Sequence, residues 1–343
     1  MSESVQAIPP FVDSPAPYAR SRGAIVRPTA REWKKHGVLF LLTVLTATLA
    51  GVLNLSPNIG EPAMRAPASL LDYVFAVPEY YVKAVGMYLQ YAFAHPMLLA
   101  QGGIFAGSLL AILTAHEFGH YIACRRYGVN ATLPFFIPAP PLFLAGTFGA
   151  FIKIKSPIPT RRALFDIGVA GPLAGFVVAL PIALIGILTL QPAPLITGDG
   201  IIFNDPLLFR IFARLTGVEL ANTAPNPFYF AAWIGLLVTS LNLMPVGQLD
   251  GGHATYSFFG ARLHKWLGRA AFVLMSSLAV LGLLWHGSPS GFLYAVLLGV
   301  MLRIKHPQVE DDRIEMDGAR TLVAILTLLV FALSFLPFPI KII

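Results

Sequence analysis

Residues 98–128 read LLAQGGIFAGSLLAILTAHEFGHYIACRRYG. The stretch is long and apolar enough to cross a bilayer, since a spanning helix needs about 20 residues. Yet it carries His116, Glu117 and His120. On insertion scales an ionisable group at bilayer depth costs about 2.5–3.5 kcal/mol, so such groups are functional candidates by default. On a helix, residues four apart lie about 40° apart around the axis and about 6 Å along it. Both imidazoles therefore reach one metal ion, and the glutamate between them is spaced to act as general base toward water. Two histidines plus a carboxylate suit Zn2+, with one position left open. Glu117 lies nine residues before Arg126, about 13 Å along a helix. With Arg126 marking the cytoplasmic face, the site falls in the inner half of the bilayer.

Composition supports a membrane setting for the whole chain. Of its 343 residues, 56% are hydrophobic and 12% charged, about half the charged share of a soluble domain. Further apolar runs occur at 36–55, 164–190, 229–249, 267–286, 291–303 and 320–338. The expected fold is an all-α polytopic membrane protein with about six to seven transmembrane helices. The net charge of +7 raises the question of nucleic acid. Its distribution answers it: nineteen Lys and Arg fall in segments 1–36, 121–165, 251–269 and 303–320, and five fall elsewhere. Basic residues mark the cytoplasmic side of a membrane protein, so the N-terminus is expected inside, with no nucleic-acid partner. The single cysteine, Cys124, excludes an internal disulfide.

Four segments are expected: a disordered cytoplasmic tail at 1–35, a first span with an outer interfacial segment at 36–97, a catalytic membrane core at 98–260, and C-terminal spans at 261–343. The tail contains Glu3, Asp13 and Glu32, which is unlike a transit peptide and favours a bacterial plasma membrane. Residues 133–155, LPFFIPAPPLFLAGTFGAFIKIK, hold four prolines within eight positions, which forbid a continuous helix. Apolar non-helical backbone at a membrane must be shielded or line a wet cavity. A membrane-re-entrant loop or β-hairpin is expected there.

A third metal ligand is required. The best candidate lies in LNLMPVGQLDGGH, residues 241–253. Asp250 falls at the inner end of the 229–249 run, on the same side as HEFGH, and Pro245, Gly247, Gly251 and Gly252 loosen the backbone around it. His253 is a rival ligand.

HEFGH in a span, AGPLAG at 170–175 and NLMPVGQLDGG at 242–252 together resemble the site-2 protease family of intramembrane zinc metalloproteases. The similarity covers roughly 98–260 and is greatest to the branch of bacterial proteins akin to the plant EGY-type chloroplast proteases. The resemblance implies that His116, His120 and Asp250 bind zinc, that Glu117 is the catalytic base, and that Asn242 contacts substrate backbone or the developing oxyanion. Gly171 and Gly175 match the family's glycine pattern, for which close helix packing is the leading role. The 133–155 stretch corresponds to a hairpin thought to hold unwound substrate by strand addition. The implied substrate is a membrane protein, such as a single-span anti-sigma factor. One departure is Gly247, where many members carry a second proline; another is the lack of room for a PDZ domain. Non-enzymatic alternatives are a metal-handling transporter, which calls for a polar path or inverted repeat, and an inactive scaffold.

Overall fold

The computed structural model describes residues 27–56, 60, 62, 69–193, 201–304, 306, 309–312 and 316–342. Most of the expected N-terminal tail, residues 1–26, lies outside the described residues. The boundary expected at residue 35 falls inside the first helix, α1 (Ala30–Leu55), which a Thr29–Glu32 capping box starts. Reciprocal side-chain and backbone bonds there satisfy helix-end donors that are otherwise orphaned.

After α1 come α2 (Leu70–Ala94) and α3 (Pro96–Arg126), separated only by His95. The stretch expected along the outer interface is thus a regular helix. Two strands follow, β1 (Phe135–Pro138) and β2 (Thr147–Phe151), paired antiparallel with an irregularity between Phe136 and Pro138. Strand β3 (Ile158–Thr160) leads into α4 (Arg161–Leu188). Next are β4 (Gln191–Pro192), β5 (Ile201–Phe203), α5 (Leu207–Thr216), β6 (Thr223–Ala224) and α6 (Pro227–Asn242). The chain ends with α7 (Asp250–His286), α8 (Ser290–Met301), β7 (Val309–Asp311), α9 (Gly318–Ser334) and β8 (Ile340–Ile342). The minor strands tie connections together: β3 with β7, β4 with β6, β5 with β8.

Four helices, α1, α3, α4 and α7, are long and apolar enough to cross a membrane; α6, α8 and α9 are shorter apolar helices. The chain is an integral membrane protein. Its core lies where α3, α4 and α6 pack together around Phe105, Leu109, Phe176, Trp233 and Leu236.

The run expected as one helix over 229–249 is not continuous. α6 stops at Asn242, and residues 243–249 turn before Asp250 opens α7. Hydropathy does not register this stop, because LMPV is as apolar as the helix before it. The backbone does: Pro245 has no N–H to give a helix, and Gly247 sits at φ 55°, a conformation that costs side-chain-bearing residues energy. Helix α7 breaks at Gly260 (φ 75°, ψ 176°), where the Arg161 guanidinium donates to the Tyr256 carbonyl at 3.0 Å.

The 133–155 stretch forms a β-hairpin fastened along α1. His36 Nδ1 donates to the Pro134 carbonyl at 2.9 Å, Thr46 Oγ1 to Gly146 at 2.6 Å and Asn54 Nδ2 to Leu144 at 2.8 Å. Between them Phe40 meets Phe136 edge-on. From His36 to Asn54 the helix rises about 27 Å, so the hairpin and its tip accompany α1 over most of its length.

Candidate metal centre

Helix α3 turns His116, Glu117 and His120 inward, each less than a tenth exposed. They can face inward because α4 approaches closely. A Cβ on Gly119 would lie 2.4 Å from the Ala170 carbonyl oxygen, and one on Gly171 would lie 2.1 Å from His120 Nε2. Gly171 therefore leaves the space that the His120 ring fills. The packing role expected for this glycine is also a ring-seating role.

His120 Nδ1 lies 2.7 Å from the Ile167 carbonyl of α4. A carbonyl only accepts, so Nδ1 carries the proton and Nε2 presents its lone pair. Such a partner fixes tautomer and ring orientation for a metal-binding histidine. A backbone carbonyl leaves no mark in the sequence, and nothing in the residue types points to Ile167. Inside α4, Pro172 lacks the N–H that would bond the Gly168 carbonyl, and Gly168 lines the cavity beside the site.

Asp250 arrives from the start of α7. Its carboxylate oxygens lie 3.2 Å from His116 Nε2 and 3.4 Å from His120 Nε2, and the two Nε2 atoms are 3.1 Å apart. These spacings meet a geometric test. Donors about 2.0–2.1 Å from one tetrahedrally coordinated zinc ion lie about 3.3 Å apart. Two imidazole lone pairs and a carboxylate brought this close also form the donor set zinc prefers, so the residues fit the ion. Among the described residues this trio is the one His, Cys, Asp and Glu group close enough to share a metal.

Asn242, the last residue of α6, holds its side-chain Nδ2 3.4 Å from His116 Nε2. The turn at 243–249 brings Asn242 and Asp250 to one place. It packs tightly: a Cβ on Gly251 would lie 2.0 Å from the Leu243 carbonyl oxygen. His253, the rival ligand, also lines the cavity, but its Nδ1 engages His306 Nε2 at 2.8 Å and it stands outside the trio.

The centre opens on a cavity of about 540 Å³. Its wall includes Glu117, Asn242, Gln248 and the stretch from Ala150 to Ile154 that continues β2. A second cavity of about 560 Å³ between α1 and α3 is bordered by Phe40, Val44, Leu110 and Phe118 and has no titratable lining. The chemistry therefore belongs to the first cavity.

Comparison with known proteins agrees with this geometry. Residues 104–284 match the model of peptidase family M50. The curated relatives include probable zinc metalloprotease EGY1, chloroplastic, of Oryza sativa subsp. japonica, 29% identical over 308 residues, covering 88% of this chain and 49% of the relative. Its namesake in Arabidopsis thaliana is 29% identical over 308 residues, covering 88% and 52%. Probable zinc metalloprotease EGY2, chloroplastic, of Arabidopsis thaliana is 30% identical over 233 residues, covering 66% and 40%. The chain spans about half the length of the curated relatives it matches. No solved structure matches. The family match takes in more than half of the chain, and with it His116, His120 and Asp250; the chain belongs to peptidase family M50, the site-2 proteases.

Proposed function

We propose that this protein is an intramembrane zinc endopeptidase that hydrolyses a peptide bond within or beside a transmembrane segment of a membrane-protein substrate. The observation that carries the reading is the convergence of His116, His120 and Asp250 with Glu117 beside them on a cavity wall. Zinc held by the three ligands would supply Lewis acidity, lowering the pKa of water and polarising the scissile carbonyl. Glu117 takes the proton from the attacking water and returns it to the leaving amine, so the C–N bond breaks without releasing an amide anion. Asn242, whose Nδ2 stands 3.4 Å from His116 Nε2 on the same cavity wall, can donate to a carbonyl oxygen as negative charge develops there.

The β-hairpin supports a route for substrate. β1 lies on α1, and β2 runs on into the residues that line the cavity. An unwound segment pairing with the edge of β2 that no strand covers among the described residues would pass Glu117, a recognition mode that reads backbone more than sequence. The bonds from His36 to Asn54 favour a hairpin embedded at membrane depth, where neighbouring protein satisfies its backbone. The short helices α6, α8 and α9 complete a seven-span arrangement with the N-terminus cytoplasmic, in keeping with the Lys and Arg distribution. A bacterial plasma membrane is the proposed location, and a single-span regulator such as an anti-sigma factor the proposed substrate.

The test is metal content and cleavage together. Full-length protein in detergent should contain one zinc per chain and cut single-span model substrates. Chelation should abolish cutting, and added zinc should restore it. Cleavage that survives complete metal removal would overturn the reading. Full zinc occupancy with no cut in any substrate would replace it with the transporter or scaffold alternative.

A further inference from the structure

At one end of the α3–α4 pair, three side chains from three helices converge. Arg320, in the first turn of α9, donates from Nε to Asp166 Oδ1 at 2.9 Å and from Nη2 to Oδ2. This is the two-pronged geometry that a guanidinium supplies and an ammonium does not. Tyr127, at the end of α3, donates to the same carboxylate, and Arg320 Nη2 reaches the Tyr127 oxygen at 3.0 Å. Burial and the adjacent Asp166 push the Tyr127 hydroxyl upward, which keeps it a donor. Asp317 caps α9 and takes a further bond from Nη1, holding the guanidinium from behind.

The network's position gives it a second consequence. Asp166 directly precedes Ile167, whose carbonyl orients His120. Tyr127 is on the helix that carries His116 and His120, about 10 Å beyond His120 along the axis. The same network therefore ties the end of the ligand helix to the turn of α4 that seats the ligand. At His120 itself, and one residue beyond it, α3 and α4 touch with almost no slack, through Gly171 and Gly119. A small slide of α4 along α3 would move the Ile167 carbonyl and the Gly171 recess away from the ring together. The side chains of Arg320 and Asp166 are 21% and 29% exposed, so their attraction is partly screened and their value lies in geometry.

We infer that Arg320 is a positioning residue: by clamping Asp166 and Tyr127 it sets the register of α4 on α3 and so holds His120 in its metal-binding orientation. The inference rests on the metalloprotease reading and adds a specific link from the C-terminal helix to the metal centre.

Full-length wild type, Arg320→Ala, Arg320→Lys and Asp205→Asn should be compared in detergent. Zinc affinity is read by chelator competition, and ligand geometry by the visible absorption of the cobalt-substituted protein. Arg320→Ala should weaken zinc binding about tenfold, the lower end of what losing an outer partner of a ligand costs, and shift the cobalt bands. Arg320→Lys, which keeps the charge and loses the fork, should fall between. Asp205→Asn disturbs the bond to Tyr229 at the opposite end of α6, about 20 Å from Asn242. It should lower the melting temperature and leave affinity and bands unchanged. If Arg320→Ala does not fold, Tyr127→Phe, which removes one hydroxyl, should show the same band shift with a smaller loss of affinity. Wild-type affinity and cobalt spectrum in a folded Arg320→Ala, or in Tyr127→Phe where the former does not fold, would overturn the inference and leave Arg320 a docking contact for α9. A wild type that takes up neither metal would overturn the metalloprotease reading itself.

Discussion

Glu117→Gln should reduce cleavage by about 10³-fold, within the range general acid–base groups contribute, while zinc stays bound at one per chain. The amide matches the carboxylate in shape, so the cavity wall and the ligand trio are undisturbed. It has no basic oxygen to accept a proton from water and no acidic proton to deliver to the amine. The geometry is specific on this point: Glu117 is buried on the cavity wall, and the trio is formed by His116, His120 and Asp250 without it. Single-turnover cleavage of a model substrate, run beside metal analysis on the same preparation, separates the two roles. Wild-type cleavage by the mutant would remove Glu117 from the mechanism. Loss of zinc along with activity would make it a ligand.

Gly171→Ala should empty the metal centre as thoroughly as Asp250→Ala. The added methyl would sit 2.1 Å from His120 Nε2, well inside van der Waals contact. Backing the helix away would pull the Ala170 carbonyl off Gly119 one residue away and forfeit the close α3–α4 packing there. The ring must turn instead, giving up both the Ile167 carbonyl and its place among the ligands. Zinc affinity should fall by at least the roughly 10–100-fold seen when a ligand's supporting bond is lost. Neighbouring glycines grade the effect. At Gly175 an added Cβ would be 3.1 Å from His116 Cβ, a contact that small movements relieve, and at Gly107 it would meet nothing within 4 Å. Gly175→Ala should therefore cost less zinc, and Gly107→Ala none. His253→Ala should also retain zinc, since that ring faces His306. Zinc titration across the series checks the order. Equal affinity in Gly171→Ala and Gly107→Ala would show that the glycine is not needed to seat the ring.

Much of this centre was legible in the chain because its first part is local. Two histidines four apart on a helix share a face whatever surrounds them. Polar residues in an apolar run signal function because lipid penalises them. Asp250 entered as the best third candidate because the apolar runs and the Lys and Arg distribution put it on the same side as HEFGH, and resemblance then favoured it over His253; the family match supports membership without assigning each ligand. The long apolar helices were visible for a similar reason: composition alone sets whether about 20 residues suit a bilayer. The apolar run overshot the helix end at Asn242 because hydropathy sums side chains; Pro245 and Gly247 marked a loosened backbone but not the residue at which the helix stops.

By itself the sequence determined the membrane class, the helical pair His116 and His120, the general-base spacing of Glu117 and the non-helical character of 133–155. Each follows from residue type and short-range spacing. Tertiary structure alone decided that the carboxylate of Asp250 stands 3.2–3.4 Å from both rings, that Ile167 orients His120, and that Gly171 makes its recess. It also decided that β2 leads to the cavity and that Arg320 reaches Asp166 across 154 positions of chain. These relations join residues through the packing of α3, α4, α6, α7 and α9. No local pattern encodes the distance between two helices, which is settled only when their side chains, glycine recesses and backbone carbonyls come into contact.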